Sequence, residues 1–246
     1  MRSLGGQAGR TRVTWCLFFL FLVGVVLAFA QSRYATLQEV TVTGAGRLDA
    51  NQVVEFSGVR PGQSVFSLRP GQVAARLRSL PWVKEAWVRW AWPGRVVIGL
   101  TERSPLALVP HHDRFLVVDA EGRVLTTTQE TSSWDLPLVT GPVPSQPVAG
   151  QFLTDQGILG ALACVEAFPP DVRDRVAEVH SGEKGDLVVY DLDGVPALLG
   201  VPDAYLPQKV QILVAIWEDL ARQGGGAQYI DVRDPGRPVL KPAQGG

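Results

Sequence analysis

The sequence predicts an α+β protein with one apolar helix near its N-terminus and two folded units after it. Three observations lead to this fold class. Residues 13–30 contain no charged side chain. Residues 37–101 show the order strand, helix, helix, strand, strand. From residue 106 onward, short alternating runs typical of strands predominate, and two stretches of helical periodicity interrupt them.

Composition narrows the function classes. The chain has 246 residues, which suggests one or two domains besides a membrane segment. It carries 23 Lys and Arg against 24 Asp and Glu, a formal net charge of −1. This balance argues against nucleic acid as the main partner, because phosphate binding calls for a basic excess. Cys16 and Cys164 are far apart, and Cys16 lies in the apolar run, so no disulfide scaffold is predicted.

Residues 13–30 are predicted to be a transmembrane helix. At 1.5 Å per residue the run spans about 27 Å, close to the hydrocarbon thickness of a bilayer. Residues 1–12 carry three arginines and no acid, which predicts a cytoplasmic tail and an extracytoplasmic bulk. A competing interpretation is a cleaved signal peptide, because residues 28–30 read Ala-Phe-Ala, an A-x-A pattern. Under either interpretation the chain after Ala30 is exported.

The first folded unit is predicted over residues 35–105. Valine alternates with threonine at the end of residues 37–43, which indicates a strand. Asp49 begins a helix, with Gln52 at capping-box spacing, and Gly58 ends it. Pro70 suits the first turn of a second helix, and Pro81 must stop it, because proline lacks an N–H and clashes with the preceding turn.

Two strands close this unit, over residues 83–90 and 95–101, joined by a turn at Pro93-Gly94. Val96, Ile98 and Leu100 share one face of the second strand. Four tryptophans crowd the region: Trp82, Trp87, Trp90 and Trp92. Core packing is the favoured interpretation of these indoles, since a buried indole supplies much apolar area, and partner contact is the alternative.

The second unit, residues 106–241, is predicted to be mostly strands with two helices. The expected strands cover residues 106–109, 115–118, 124–128, 176–181, 187–192, 195–200, 228–233 and 237–241. The helices are expected at residues 156–168 and 205–223, the second with an apolar stripe of Leu206, Val210, Leu213, Trp217 and Leu220. Polar turn residues are expected at 111–114, a surface loop at 142–151 and a disordered tail at 242–246.

No pattern of catalytic or metal-binding residues emerges. His111 and His112 are adjacent, so on a strand they point to opposite faces, and no metal-ligand spacing occurs. Ser181 and Lys184 match S-x-x-K, but glycines flank the lysine and favour a hairpin turn, and the partner motifs of that chemistry do not occur. We therefore expect no enzyme activity, no cofactor, no metal and no small-molecule substrate.

Several motifs resemble the FtsQ/DivIB family of bacterial cell-division proteins. The residues that resemble the closing half of its POTRA domain are Pro81, Trp82, Val83, Trp92, Pro93, Glu102, Arg103 and Pro105. The residues that resemble its β domain are Val118, Asp119, Gly122, Leu136, Pro137, Gly141, Lys209 and the run 229–233. The resemblance implies a POTRA domain of β-α-α-β-β order directly outside the membrane, followed by a mixed, mostly antiparallel β domain with two helices.

The same resemblance implies a bitopic scaffold of the divisome at the septal plasma membrane, which recruits FtsB-like and FtsL-like division proteins. A strand late in a β domain can lie near a sheet edge, where a partner can add a strand. The implied partner-binding residues are Tyr229, Ile230, Val232, Arg233, Val239 and Leu240. The competing interpretation is that this strand is merely core. Many relatives carry an aromatic residue after the arginine, whereas Asp234-Pro235 follows here.

The alternative function is an exported POTRA-containing secretion or outer-membrane assembly factor. Such a factor normally includes a barrel of many ten-residue strands, which this chain is too short to hold.

Overall fold

The computed structural model describes residues 15–25, 28, 35–142 and 148–243. The chain divides into two compact units, Met1–Glu102 and Arg103–Gly246. The expected anchor covers residues 13–30. Of these, residues 15–25 and 28 are helical, and the others lie outside the described residues. Within the described part of the chain, we find no helix that is both long enough and apolar enough for a membrane span.

The first unit contains a three-stranded sheet and two helices. Its elements are β1 (Glu39–Thr43), α1 (Ala50–Ser57), a 3₁₀ turn (Val65–Ser67), α2 (Pro70–Arg78), β2 (Val83–Ala91) and β3 (Arg95–Glu102). The strand order is β1-β3-β2, with β1 parallel and β2 antiparallel to β3. The predicted order of elements is confirmed.

Local chemistry sets the helix ends of this unit as predicted. The Asp49 carboxylate accepts the backbone N–H groups of Asn51 and Gln52 at 2.6 and 3.2 Å, which caps α1. Gly58 ends α1 with φ 73°, a conformation that glycine adopts without a steric penalty. Pro70 is the first residue of α2, and that helix stops at Arg78, before Pro81.

The prediction of core tryptophans is wrong for three of them. Trp87, Trp90 and Trp92 are 41, 44 and 73% exposed. After a register shift between Val83 and Glu85, Ala86, Val88 and Trp90 lie on the face of β2 that packs against the helices, and Trp87 lies on the other face. The indole of Trp87 lies instead over the backbone of β3 at Gly99, where a Cβ would overlap it.

The second unit is built on one nine-stranded sheet. Its strands are β4 (Ala107–His111), β5 (Arg114–Val118), β6 (Val124–Thr128), β7 (Leu138–Thr140), β8 (Val176–Ser181), β9 (Leu187–Asp191), β10 (Pro196–Gly200), β11 (Ala227–Asp231) and β12 (Val239–Pro242). Its helices are α3 (Gln156–Ala167) and α4 (Leu206–Gln223), with a 3₁₀ turn at Arg173–Arg175. The strand order is β12-β11-β10-β9-β8-β7-β4-β5-β6.

The sheet is mixed and mostly antiparallel, as predicted. The pairs β4·β7, β7·β8 and β10·β11 are parallel, and the remaining neighbours are antiparallel. The core beneath the sheet is closed by α3 and α4. Trp217 of α4 is 1% exposed and stacks on Phe168, with ring centroids 5.6 Å apart. The predicted apolar stripe of α4 therefore faces the core.

Three expectations for this unit need correction. Strand β7 was not predicted. The expected polar turn at residues 111–114 is shorter, because β4 continues through His111 and β5 starts at Arg114. Strand β12 ends at Pro242, so the expected tail at residues 242–246 begins too early, and residues 244–246 lie outside the described residues. Residues 143–147 of the expected loop are likewise not described.

Candidate partner-binding edge

Strand β12 is one of the two terminal strands of the large sheet. It pairs antiparallel with β11, placing Leu240 opposite Ile230 and Val239 opposite Asp231. All four of its residues are exposed, and the apolar side chains of Val239 and Leu240 are 49 and 39% exposed. A terminal strand presents backbone N–H and C=O groups on its outer side, so this edge can accept a strand from another chain.

The opposite end of the sheet is partly covered. The N–H of Val124, the first residue of β6, donates to the carbonyl of Gln151 at 2.9 Å. The N–H of Gly150 donates to the carbonyl of Val124 at 2.7 Å, and Arg123 forms a bridge with Phe152. Among the described residues, no comparable segment pairs with the outer side of β12. The two ends of the sheet therefore differ in their ability to accept a partner.

The sequence of β12 restricts what can pair with it. The strand is only four residues long, Pro238 precedes it and Pro242 ends it. Proline has no N–H to donate. The positive charge of Lys241 disfavours pairing of this edge with the same edge of another copy. These features limit strand addition to a short register around Val239, Leu240 and Lys241.

The six residues predicted to bind a partner differ in their exposure to solvent. Ile230 and Val232 are 0% exposed and belong to the core. Their expected role as contact residues is wrong for the folded unit, because β11 lies inside the sheet and these side chains point inward. Their i, i+2 spacing already carried this signal, since residues two apart on a strand share a face. Val239 and Leu240 are exposed, and Tyr229 is half-buried.

Arg233 is exposed, but its side chain is hydrogen-bonded to Asp231. Its Nε and Nη2 donate to the Asp231 carboxylate at 3.0 and 2.6 Å, and its backbone N–H donates to the same group at 3.0 Å. The side-chain hydrogen bond from Arg233 lowers the pKa of Asp231, against a smaller opposing effect of partial burial. The guanidinium charge is thus compensated locally, and charge reversal at Arg233 would place two carboxylates together. Val239 and Leu240 are the cleaner positions to probe.

Two motif residues of the first unit, Glu102 and Val83, have structural roles. Glu102 accepts the backbone N–H groups of Gly46, Arg47 and Leu48, each at 2.9 Å, and so holds the chain between β1 and α1. Partial burial alone would raise the pKa of Glu102, but these three hydrogen bonds and the charge of Arg47 together lower it. Val83 is fully buried at the start of β2.

Arg103 of the second unit is buried and forms ion pairs with Asp119 and Glu121. Asp119 also accepts the backbone N–H groups of Glu121 and Arg123 at 3.0 and 2.8 Å. Burial opposes the charged form of Arg103, but its hydrogen bonds to Glu121 and Asp119 leave its pKa raised. The buried pair of Arg103 and Asp119 orients the turn between β5 and β6.

Among the other polar groups, the Thr140 hydroxyl lies within hydrogen-bond distance of the Glu178 carboxylate and of His180 Nδ1 across β7 and β8. No set of three His, Cys, Asp or Glu residues within the described ranges could hold a metal ion. Ser181 is the buried last residue of β8, and Gly182 and Gly185 form the hairpin turn that was predicted around Lys184. At β12 the second unit offers backbone and apolar contact.

Comparison with known families decides the assignment. The description "POTRA domain, FtsQ-type" matches residues 35–103, and "Cell division protein FtsQ/DivIB, C-terminal" matches residues 107–233. The chain belongs to the FtsQ/DivIB family. The second match ends at Arg233, after β11 and before β12.

Individual relatives agree with this family. The chain is 24% identical over 223 residues to "Cell division protein FtsQ" of Geotalea daltonii, covering 89% of this chain and 80% of that protein. It is 27% identical over 241 residues to the protein of the same name from Syntrophotalea carbinolica, covering 92 and 84%. A solved extracytoplasmic domain of DivIB from Geobacillus stearothermophilus overlaps 50% of this chain and 97% of that domain, with 21% identity and a TM-score of 0.35. A likeness at that level carries no conclusion about this chain.

Proposed function

We propose that this FtsQ/DivIB-family chain is a bitopic membrane scaffold of the bacterial divisome. It recruits and links FtsB-like and FtsL-like division proteins at the septum and catalyses no reaction. The observation that carries the proposal is the exposed terminal strand β12 in a chain of a cell-division family.

In this proposal residues 13–30 span the plasma membrane, with residues 1–12 in the cytoplasm. Residues 35–105 form the POTRA domain outside the membrane, and residues 106–241 form the β domain. The helical residues 15–25 support the anchor, because their large apolar side chains, such as Phe19 and Leu20 at 67 and 73%, are exposed. A helix that is apolar on all sides needs either a protein core or lipid around it.

Recruitment then proceeds by strand addition. A segment of the FtsB-like partner pairs with the outer backbone of β12, and the FtsL-like protein is held through it. Val239 and Leu240 are adjacent on the strand, so their side chains point to opposite faces of the sheet. A partner strand can thus bury one apolar side chain on each face while its backbone extends the sheet.

The test is capture of an FtsB-like partner by the full chain in detergent. The double change Val239→Asp and Leu240→Asp should weaken capture at least tenfold, because it introduces charge beside both faces of the added strand. The matched control is Thr127→Asp, an exposed position on β6, the other terminal strand. Full capture by the double variant, or loss of capture by the control alone, would show that β12 is not the recruiting edge.

A cellular experiment separates this role from the alternative of an exported assembly factor. Depletion of the protein should give filamentous cells with unconstricted septa. Loss of exported or outer-membrane proteins with normal division would instead support the assembly factor.

A further inference from the structure

The first unit carries an exposed aromatic groove of about 460 Å³. It is lined by Val65, Phe66, Leu68, Trp90, Trp92, Gly94 and Arg95. Phe66 is 68% exposed and Trp92 is 73% exposed. Trp90 pairs with Val96, so it lies on the helical side of the sheet, beside the 3₁₀ turn that precedes α2. Exposed large aromatic side chains grouped in this way mark a binding surface.

The composition of the groove suits a membrane interface. Tryptophan and phenylalanine present large apolar areas, and Arg95 can keep its charged head in water while its stem covers apolar surface. Arg95 is the only ionisable residue among the lining residues, and it lies opposite Glu39 in the β1·β3 register. The groove is therefore not strongly basic, so attraction to a bilayer must come mainly from interfacial burial of aromatic side chains.

The chain enters the first unit beside this groove. Thr36 forms a bridge with Ser64, and the Leu37 N–H donates to the Gln63 carbonyl at 2.8 Å. The Gln38 N–H donates to the carbonyl of Gly94, a lining residue, at 2.6 Å. These contacts hold residues 36–38 against the two segments that form the groove. One is the loop that contains Gln63 and Ser64, and the other is the β2–β3 turn.

Chain length places that entry point close to the bilayer. Five Cα steps separate residue 30, the end of the proposed anchor, from residue 35, and they span at most about 18 Å whatever their conformation. This closeness to the bilayer rests on the proposed membrane anchor. Given that anchor, the groove cannot move far from the lipid surface. A small gain in free energy from burying apolar side chains is then enough to hold it at the membrane.

We propose that this groove docks on the outer surface of the plasma membrane, with Phe66 and Trp92 inserted at the level of the lipid headgroups. Docking fixes the orientation of the POTRA unit on the bilayer. Because interfacial burial rather than charge supplies the attraction, docking persists at high ionic strength and does not require anionic lipid.

The test uses the full chain reconstituted in phosphatidylcholine vesicles. Cys16 is replaced by serine, and Cys164 can stay, because burial raises the pKa of its thiol to about 12 and keeps it unreactive. A fluorescent label is placed at Ser67→Cys, beside Phe66. The control label is at Thr41→Cys, an exposed position on the opposite face of the same sheet.

Lipids with a nitroxide near the headgroup should quench the label at position 67 at least threefold more than the label at position 41. Aqueous iodide should show the reverse preference, also in 1 M salt. Adding Phe66→Ser and Trp92→Ser should remove both differences. Equal quenching at the two positions would overturn membrane docking.

Two further outcomes are distinguishable. If the protein does not float with the vesicles, the anchor itself fails, and docking fails with it. If the protein floats but the label at position 67 is shielded from iodide only after a membrane-protein extract is added, the groove binds a protein, and docking on lipid is refuted while the anchor stands.

Discussion

Replacing Glu102 with glutamine tests how the first unit holds the segment between β1 and α1. Oε1 accepts the N–H groups of Gly46 and Leu48, and Oε2 accepts that of Arg47, all at 2.9 Å. A glutamine can keep two of these bonds at its carbonyl oxygen. Its amide N–H₂ then faces the Arg47 N–H, donor against donor, so the third bond is lost and the charge assistance of the other two disappears.

The size of the effect follows from these bonds. A hydrogen bond to a charged group contributes about 1.5–3 kcal/mol net, and these lie at partly exposed positions, so we expect a loss of about 2 kcal/mol in the free energy of local opening. That corresponds to roughly thirtyfold faster amide exchange at Arg47 and Leu48 under conditions in which exchange reports the opening equilibrium. Glu85→Gln, at an exposed position on β2 of the same unit, should change exchange there less than twofold.

The pH dependence provides a second readout. The folded-state pKa of Glu102 is lowered from its ordinary value of 4.5, so the stabilisation is fully present above that value and is lost as the pH falls through the lower folded-state pKa. Protection of these amides should therefore decrease in the acid range in the natural protein and show no such step in Glu102→Gln. Equal exchange rates in both proteins at neutral pH would refute the reasoning.

Three further experiments test other parts of the structure. Arg103→Met should lower the free energy of unfolding of the second unit by about 3–5 kcal/mol in urea titrations, because it leaves the Asp119 carboxylate buried without its partner; an unchanged midpoint would contradict this. Gly99→Ala should force the indole of Trp87 off the sheet, which shifts the amide resonances of β2 and β3, and an unchanged spectrum would exclude the overlap. The Cys164 thiol should resist maleimide at pH 8 in folded protein and react after denaturation, since burial raises its pKa to about 12; rapid labelling of folded protein would disprove its burial.

Local signals accounted for the parts of the fold that could be predicted from sequence. Asp49, Gly58 and Pro70 mark helix ends through their own backbone and side-chain chemistry, so their positions need no knowledge of the tertiary structure. The apolar stripe of α4 could be predicted equally well, because 3.6-residue periodicity is intrinsic to the helix.

The features that the sequence failed to predict all depend on contacts between distant segments of the chain. The exposure of the indoles could not be predicted from the sequence, because the register shift between Val83 and Glu85 depends on pairing with β3. Strand β7 has three residues and exists only through its parallel neighbours β4 and β8. The sequence also could not show that β12, rather than β11, ends the sheet, since strand order depends on contacts between distant segments.

The most direct measurement of the central claim is amide exchange in β12 of the full chain, with and without a saturating FtsB-like partner. Strand addition predicts that the outward-facing amides among Val239, Leu240 and Lys241 become protected at least tenfold, while the amides of β6 keep their rates. Unchanged exchange throughout β12 in the bound state would contradict recruitment through this edge.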